Sequence, residues 1–244
     1  MSIERFAAAD PALYADMEAY LKSGEWEIAH ESQTALWLRW NRGWLHAIAA
    51  FDLSEARRIL EQILSDGAIV LRGCEGLREL AAARGFNGCN PCVQVMYDRK
   101  EAIPIRTELV IRHPDESDFP KVAVSYDMGT EEELWEDFHS PDFLGAYLDG
   151  EFVGYIGVHG EGSMGILYVF PTYRRRGYAE ALYATLINRQ LEKGRLPFAQ
   201  ILEDNEQSVA LQRKMGLRIS DGRVYWMWRE EDGAKDGEQT AGED

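Results

Sequence analysis

The chain has 244 residues, 45% of them hydrophobic, with seven tryptophans, enough apolar material for one large core or two smaller ones. Its formal net charge is −16, which excludes a general binder of nucleic-acid phosphate and leaves a cationic amine or basic peptide as partner, or plain solubility. No run reaches the ~18 apolar residues that span a bilayer, and MSIERFAAADPAL lacks a basic-then-apolar signal layout, so no membrane partner and a cytoplasmic location are expected.

In chain order, residues 10–23 predict a helix, with Asp10 as cap, Pro11 in its first turn and Gly24 at its end. WEIAHES, ALWLRW and WLHAIAA read as strands, with Asn41-Arg42-Gly43 as the turn between the last two. Trp26, Trp37, Trp40 and Trp44 form either a core or an interaction surface. DLSEARRILEQILSDG predicts a helix stopping at Gly67, followed by a strand (AIVLRG), a helix (CEGLRELAAARG) and a strand (VQVMYDR). Residues 99–105 read as a linker. Cys89-Asn-Pro-Cys92 has no second pair or neighbouring histidines, so no metal site is expected, and a redox dithiol is the remaining chemical reading. The odd cysteine count, three, fits a reducing compartment.

The second half restarts with a strand (ELVIRH), two short helices at 115–128 and 131–138, and a hairpin turning at Asp149-Gly150. Then comes GILYVFPTYRRRGYA, residues 165–179: an apolar strand runs through a basic turn into a helix. The first amides of a helix lack intrahelical partners and carry partial positive charge, so such a turn can cradle a phosphate or pyrophosphate. Gly177 allows close backbone approach, and Arg174, Arg175 and Arg176 add charge and donors. A dinucleotide fingerprint would need two more glycines, and a P-loop would need Gly-Lys-Ser/Thr. The third reading is R-x-x-G-x-A, from Arg174 to Ala179. In the helix Ala179, Leu182, Tyr183, Leu186, Ile187 and Leu191 recur at core spacing, and Lys193-Gly194 ends it. A strand (FAQILED), Asn205 and LQRKMGL follow. Residues 230–244 hold seven acids and one lysine and are expected to be disordered.

A weak internal repeat matches Leu80–Phe86 to Leu211–Leu217 at an offset of 131. It implies two copies of one fold. The stretch that the repeat sets against the cradle, GWLHAI at 43–48, lacks R-x-x-G-x-A, so the first copy is expected to be degenerate. The expected domains are 1–104, 105–230 and the tail 231–244.

The R-x-x-G-x-A turn, its LYVFPTYR approach and the block containing Asn205 and LQRKMGL resemble the GNAT superfamily of acetyl-CoA-dependent N-acyltransferases, over roughly residues 105–229. The resemblance implies an α/β fold: a mixed, mostly antiparallel sheet with helices on both faces, tandem in this chain. Two central strands, LYVF and FAQIL, would be parallel and splay apart. The backbone around Leu167, Tyr168 and Val169 would pair with the pantetheine arm of acetyl-CoA. Arg174, Arg175, Arg176, Gly177, Tyr178 and Ala179 would hold its pyrophosphate, and Asn205 and Ser208 would lie beside the arm. The implied activity is acetyl transfer to a primary amine of a small molecule or peptide, by direct attack on the thioester, in a monomer or homodimer. The alternative is a non-catalytic acyl-CoA-binding module. His159, Glu161 and Glu203 are the candidate bases, with Asp204 beside them. Gln212 stands where many members of the superfamily carry a tyrosine that protonates the thiolate.

Overall fold

The computed structural model describes residues 2–64 and 67–230, and the expected tail, 231–244, lies outside the described residues. Two helices come first, α1 (Ser2–Ala9) and α2 (Ala15–Ser23). They replace the single expected helix over 10–23, because Asp10 closes a turn instead: its carboxylate accepts from the Leu13 amide at 3.2 Å. Gly24, at φ 75°, ends α2 as the sequence suggests. The three expected strands are β1 (Trp26–Glu31), β2 (Ala35–Trp40) and β3 (Leu45–Ala50). Helix α3 (Leu53–Leu60) begins under the Asp52 carboxylate and stops short of Gly67, its end tightened by an i−3 bond from Gln62 to Ile59. Then come β4 (Ala68–Gly73), α4 (Leu77–Ala82) and β5 (Gly88–Met96). The second half contains β6 (Val110–Arg112), α5 (Phe119–Ser125), α6 (Glu131–Phe138), β7 (Leu144–Leu148), β8 (Glu151–Val158) and β9 (Met164–Val169). It continues with α7 (Tyr178–Glu192), β10 (Phe198–Leu202), α8 (Glu206–Lys214), β11 (Arg218–Ile219) and β12 (Val224–Trp228).

By packing, the chain divides into Pro91–Val224 with the segment ending at Glu27, and Ile28–Asn90 with the segment starting at Tyr225. This differs from a cut at 104/105 because the N-terminal helices pack with later residues. Asp16, fully buried on α2, accepts from the side-chain amides of Gln94 on β5 and Gln200 on β10, each at 3.0 Å. The expected linker is also tied down. The Ile103 amide donates to Asn188 Oδ1 at 2.7 Å, and Asn188 Nδ2 donates back to the Ile103 carbonyl at 2.9 Å.

In the first unit β6, β7, β8 and β9 form an antiparallel sheet in that order. Leu182, Leu186 and Ile187 of α7 cover one face, against Leu144, Ala146, Val153 and Ile156. An aromatic cluster from α5 and α6, including Phe119 and Phe138, covers the other with Phe143, Phe152 and Tyr155. The sheet thus carries helices on both faces. Strand β5 pairs antiparallel with β10 and, separately, with β11.

In the second unit the strand order is β1-β2-β3-β4-β12. Strands β3 and β4 are parallel and joined through α3, a strand–helix–strand crossover. Ile48, Ile69 and Leu71 meet Ala56, Ile59 and Leu80 in its core. Trp37 and Trp40 are buried in this unit, whereas Trp44 stays 42% exposed. GWLHAI runs into strand β3, so it is not this unit's counterpart of the cradle. The turn from β3 to α3 is Phe51-Asp52. Cys89 and Cys92 both lie on β5 and form no disulfide; three residues apart on a strand, they point to opposite faces. Among the described residues, no helix is long and apolar enough to cross a membrane.

Candidate active site

Strand β9 is the last strand of its sheet, so its outer edge carries backbone groups without a strand partner in that sheet. Ile166 sits at φ 53°, an outlier for a β-branched residue, beside a register shift in the β8–β9 ladder. The bulge leaves Ile166 and Leu167 without register partners on β8, while Tyr168 stays paired with Tyr155. Strand β10 belongs to a different sheet, yet Leu167–Val169 and Ala199–Leu202 line one cavity of about 740 Å³. The two strands therefore splay around a cleft, as the resemblance implies.

One end of the cleft is the basic turn. Arg175 at φ 65° and Gly177 at φ 83° place two left-handed residues in close succession, a geometry that gathers backbone amides into a concave nest. Helix α7 has Gly177 as N-cap and, like α2, α4 and α5, no side-chain cap, whereas α3, α6 and α8 are capped by Asp52, Thr130 and Asn205. The amides at the start of α7 are therefore open to an outside anion. A Cβ built on Gly177 would meet nothing within 4 Å, so this glycine serves backbone conformation and not packing. The three arginines differ in position. Arg174 Nε donates to the Val169 carbonyl at 2.8 Å and braces the turn. Arg176 lies outside the cavity wall, its guanidinium 3.4 Å from the Thr172 carbonyl. Arg175 lines the cavity and has no ion-pair partner among the described residues. Tyr178 and Ala179 line it too; the Tyr178 hydroxyl donates to Glu108 at 2.6 Å. Lys214 of α8 also lines the cavity, paired with Glu180 at 2.6 Å.

The middle of the cleft is walled by Asn205, Ser208, Leu211 and Gln212. Asn205 caps α8, accepting from the Ser208 amide at 3.0 Å. Tyr183 and Gln212 lie against each other, 2% and 1% exposed. Neither the Tyr183 hydroxyl nor Gln212 Oε1 reaches hydrogen-bond geometry with a described residue. Buried polar atoms left in this way are costly, and a polar ligand arm in the cleft is a natural partner for such a wall.

The other end holds Tyr126, Met128, His159, Met164 and Gly165. His159 Nδ1 lies 3.6 Å from the Asp137 carboxylate of α6, and Nε2 lies 3.5 Å from the Tyr126 hydroxyl. Burial disfavours charging the ring, but Asp137, Glu161 and Glu133 outweigh it and hold the His159 pKa above its ordinary value. Burial, then Glu161 and Asp137, push the Tyr126 phenol up. This end of the cleft is lined by an aromatic ring, a histidine and methionines, and the carboxylates act on it through His159.

Of the expected bases, only His159 is in the wall. Glu161 is turned to the Ser163 hydroxyl, and the exposed Glu203 is paired with Arg223 at 3.0 Å. Asp204, on the turn before α8, is likewise outside the wall. The tight turn in which the His159 amide donates to Ser163 and the Gly162 amide to His159 breaks strand parity over 159–163. Sequence reading missed Tyr126, Met128, Asp137, Gln200 and Lys214. Only Lys214, inside the LQRKMGL block itself, had a sequence signal, its charge.

Residues 111–217 match the model of the acetyltransferase (GNAT) family. No curated protein matches the sequence. Among solved structures, a Drosophila protein is 19% identical over 94% of both chains, with a TM-score of 0.63. A putative GNAT-family acetyltransferase from Novosphingobium aromaticivorans is 15% identical over 90% of this chain and 99% of its own, TM-score 0.55. A GCN5-related N-acetyltransferase from Kribbella flavida is 13% identical over 90% and 95%, TM-score 0.57. At these identities the likeness is one of fold.

Proposed function

We propose, from the match of residues 111–217 to the model of the acetyltransferase (GNAT) family, that this chain is an acetyl-CoA-dependent N-acetyltransferase acting on a primary amine of a small molecule or peptide. The observation that carries the reading is the free edge of β9 running into the uncapped start of α7, with Arg175 in the same wall. Residues Leu167–Val169 would meet the peptide-like pantetheine arm as an added strand. Arg175, Gly177, Tyr178 and Ala179 would hold the pyrophosphate. Arg174 acts by bracing the turn. Asn205, Ser208 and Gln212 would flank the arm.

Bound acetyl-CoA supplies an already activated acyl group: the amine lone pair forms C–N, the C–S bond breaks with its electrons on sulfur, and a proton passes from nitrogen to sulfur. No protein nucleophile is required. The chain must orient the amine, take up its ammonium proton and exclude competing water. His159 is the assigned base, since it is the titratable group in the acceptor wall. Gln212 cannot supply a proton, but a thiolate whose parent thiol has a pKa near ~8.5 can be protonated by solvent. The carboxylates Asp137, Glu161 and Glu133 favour a cationic acceptor over an acidic one. Cys74, Cys89 and Cys92, none of them in a disulfide, suit a reducing compartment, and we place the reaction in the cytoplasm.

The unit Ile28–Asn90 reads as a degenerate copy of the same fold without a cofactor site. Its strand–helix turn is closed by Asp52, whose carboxylate already takes the amides of Ser54 and Glu55. A pyrophosphate there would meet a negative charge and two amides already engaged. Gln212 in place of tyrosine supports a second reading, a module that binds acyl-CoA without turnover.

The test is thermal unfolding with acetyl-CoA, CoA or ATP, coupled to thiol release with a panel of amines. The expected result is a raised midpoint with acetyl-CoA and CoA but not ATP, and release only when an amine is present. Gly177→Glu should fold and lose the shift. Binding without release across the panel selects the binding module, and no shift in the wild type overturns both readings.

A further inference from the structure

Resting on the transferase reading, we propose that Asp137 is a positioning residue that fixes the His159 imidazole with Nε2 toward the acceptor end of the cleft, making the two an Asp–His proton-accepting pair. The geometry comes from three elements. The turn between β8 and β9 holds the His159 backbone, through the His159 amide to the Ser163 carbonyl at 2.9 Å and the Gly162 amide to the His159 carbonyl at 2.8 Å. Helix α6 brings the Asp137 carboxylate to 3.6 Å from Nδ1, with an Asp137 side chain only 16% exposed. Strand β9 leaves room for the ring at Gly165, where a Cβ would lie 2.5 Å from Nε2. The imidazole therefore fills the place of a β9 side chain, and any residue larger than glycine at 165 would displace it.

A neutral imidazole with its proton on Nδ1, directed at a carboxylate, presents Nε2 as an acceptor. The step balances. An N–H bond of the acceptor ammonium breaks, its electron pair stays on nitrogen as the nucleophilic lone pair, and the proton moves to Nε2. The imidazolium formed is held against Asp137 until it releases that proton to solvent. The charges facing the ring are Asp137 and Glu133 on α6 and Glu161 on the turn; the Tyr126 hydroxyl, from the segment after α5, completes the surroundings. All three carboxylates favour the imidazolium. Asp137 is set apart by its direct approach to Nδ1, whereas Glu161 is turned to Ser163.

The experiment follows the His159 ring by NMR titration of the full chain, beside the pH profile of amine-dependent thiol release, in wild type, Asp137→Asn, Asp137→Glu and Gly165→Ala. In Asp137→Asn the His159 titration midpoint should fall by about one pH unit, because an opposite charge that favoured the imidazolium is gone. The acid limb of kcat/KM should move to lower pH with it. Its kcat should fall roughly 10-fold or more, while the thermal shift by CoA stays as in wild type. Asp137→Glu should recover much of the rate. Gly165→Ala should lower kcat and leave CoA binding in place. An unchanged midpoint and acid limb in Asp137→Asn, with thiol release intact in wild type, overturns the positioning role alone. Absence of amine-dependent release in wild type overturns the transferase reading and this role with it.

Discussion

Three consecutive arginines, identical in sequence, take three different positions in the turn before α7. Arg174 bonds the Val169 carbonyl, Arg176 approaches the Thr172 carbonyl outside the cavity wall, and Arg175 stands in the wall without an ion-pair partner among the described residues. A charge-assisted hydrogen bond contributes about 1.5–3 kcal/mol. Arg175→Ala should therefore weaken CoA binding by about 10-fold or more, since 1.4 kcal/mol is a factor of ten. Arg176→Ala should change it by less than about 3-fold on the same scale. Isothermal titration with CoA measures both, and equal losses would assign the anion contact to the whole basic turn. The sequence could place arginines near the phosphate position. It could not rank them, because which guanidinium faces the cleft depends on the left-handed backbone of Arg175.

At the scale of elements, the helix that precedes the first strand is part of the later unit. Asp16 on α2 joins Gln94 of β5 and Gln200 of β10, and Gln200 also lines the candidate cleft. Asp16→Ala removes a buried acceptor of the Gln94 and Gln200 side-chain amides, and a buried hydrogen bond left unmade costs about 1–3 kcal/mol. A loss of about 2 kcal/mol should lower the thermal midpoint by roughly 4–8 °C for a chain of this size. Calorimetry of the variant checks this, and an unchanged midpoint would show that α2 is held by its apolar contacts alone. Local pattern revealed most elements: the Asn41-Arg42-Gly43 and Asp149-Gly150 turns, the cap at Asn205 and the stop at Gly194 each rest on a few adjacent residues. It misjudged 10–23 and the end of α3, where a side chain already engaged in a turn and a tightened last helical bond override periodicity.

For the whole molecule, acid stability follows from His46. Burial, then the charges of Arg39 and Arg229, hold its pKa down at about 4, against an ordinary 6.5. The ring is neutral in the fold and accepts from Trp37 Nε1 at 3.2 Å. Above pH ~6.5 both folded and unfolded chains leave it neutral, so its stability contribution is complete there. As pH falls from about 6.5 to about 4 the unfolded chain gains a proton that the fold refuses, and on the order of 3 kcal/mol is lost. Urea midpoints at pH 7.5 and 4.5 should fall less for His46→Gln than for the wild type. The sequence by itself determined the α/β class, the strand–basic turn–helix that leads into the cleft and the family resemblance, because each is written in residues close together along the chain. Tertiary structure alone decided that α2 packs with β5 and β10, that Arg175 faces the cleft, and that Asp137, Tyr126 and Gly165 surround His159. Those groups come from separate helices, turns and strands, and no local periodicity encodes which of them the packed core brings to within a few ångströms.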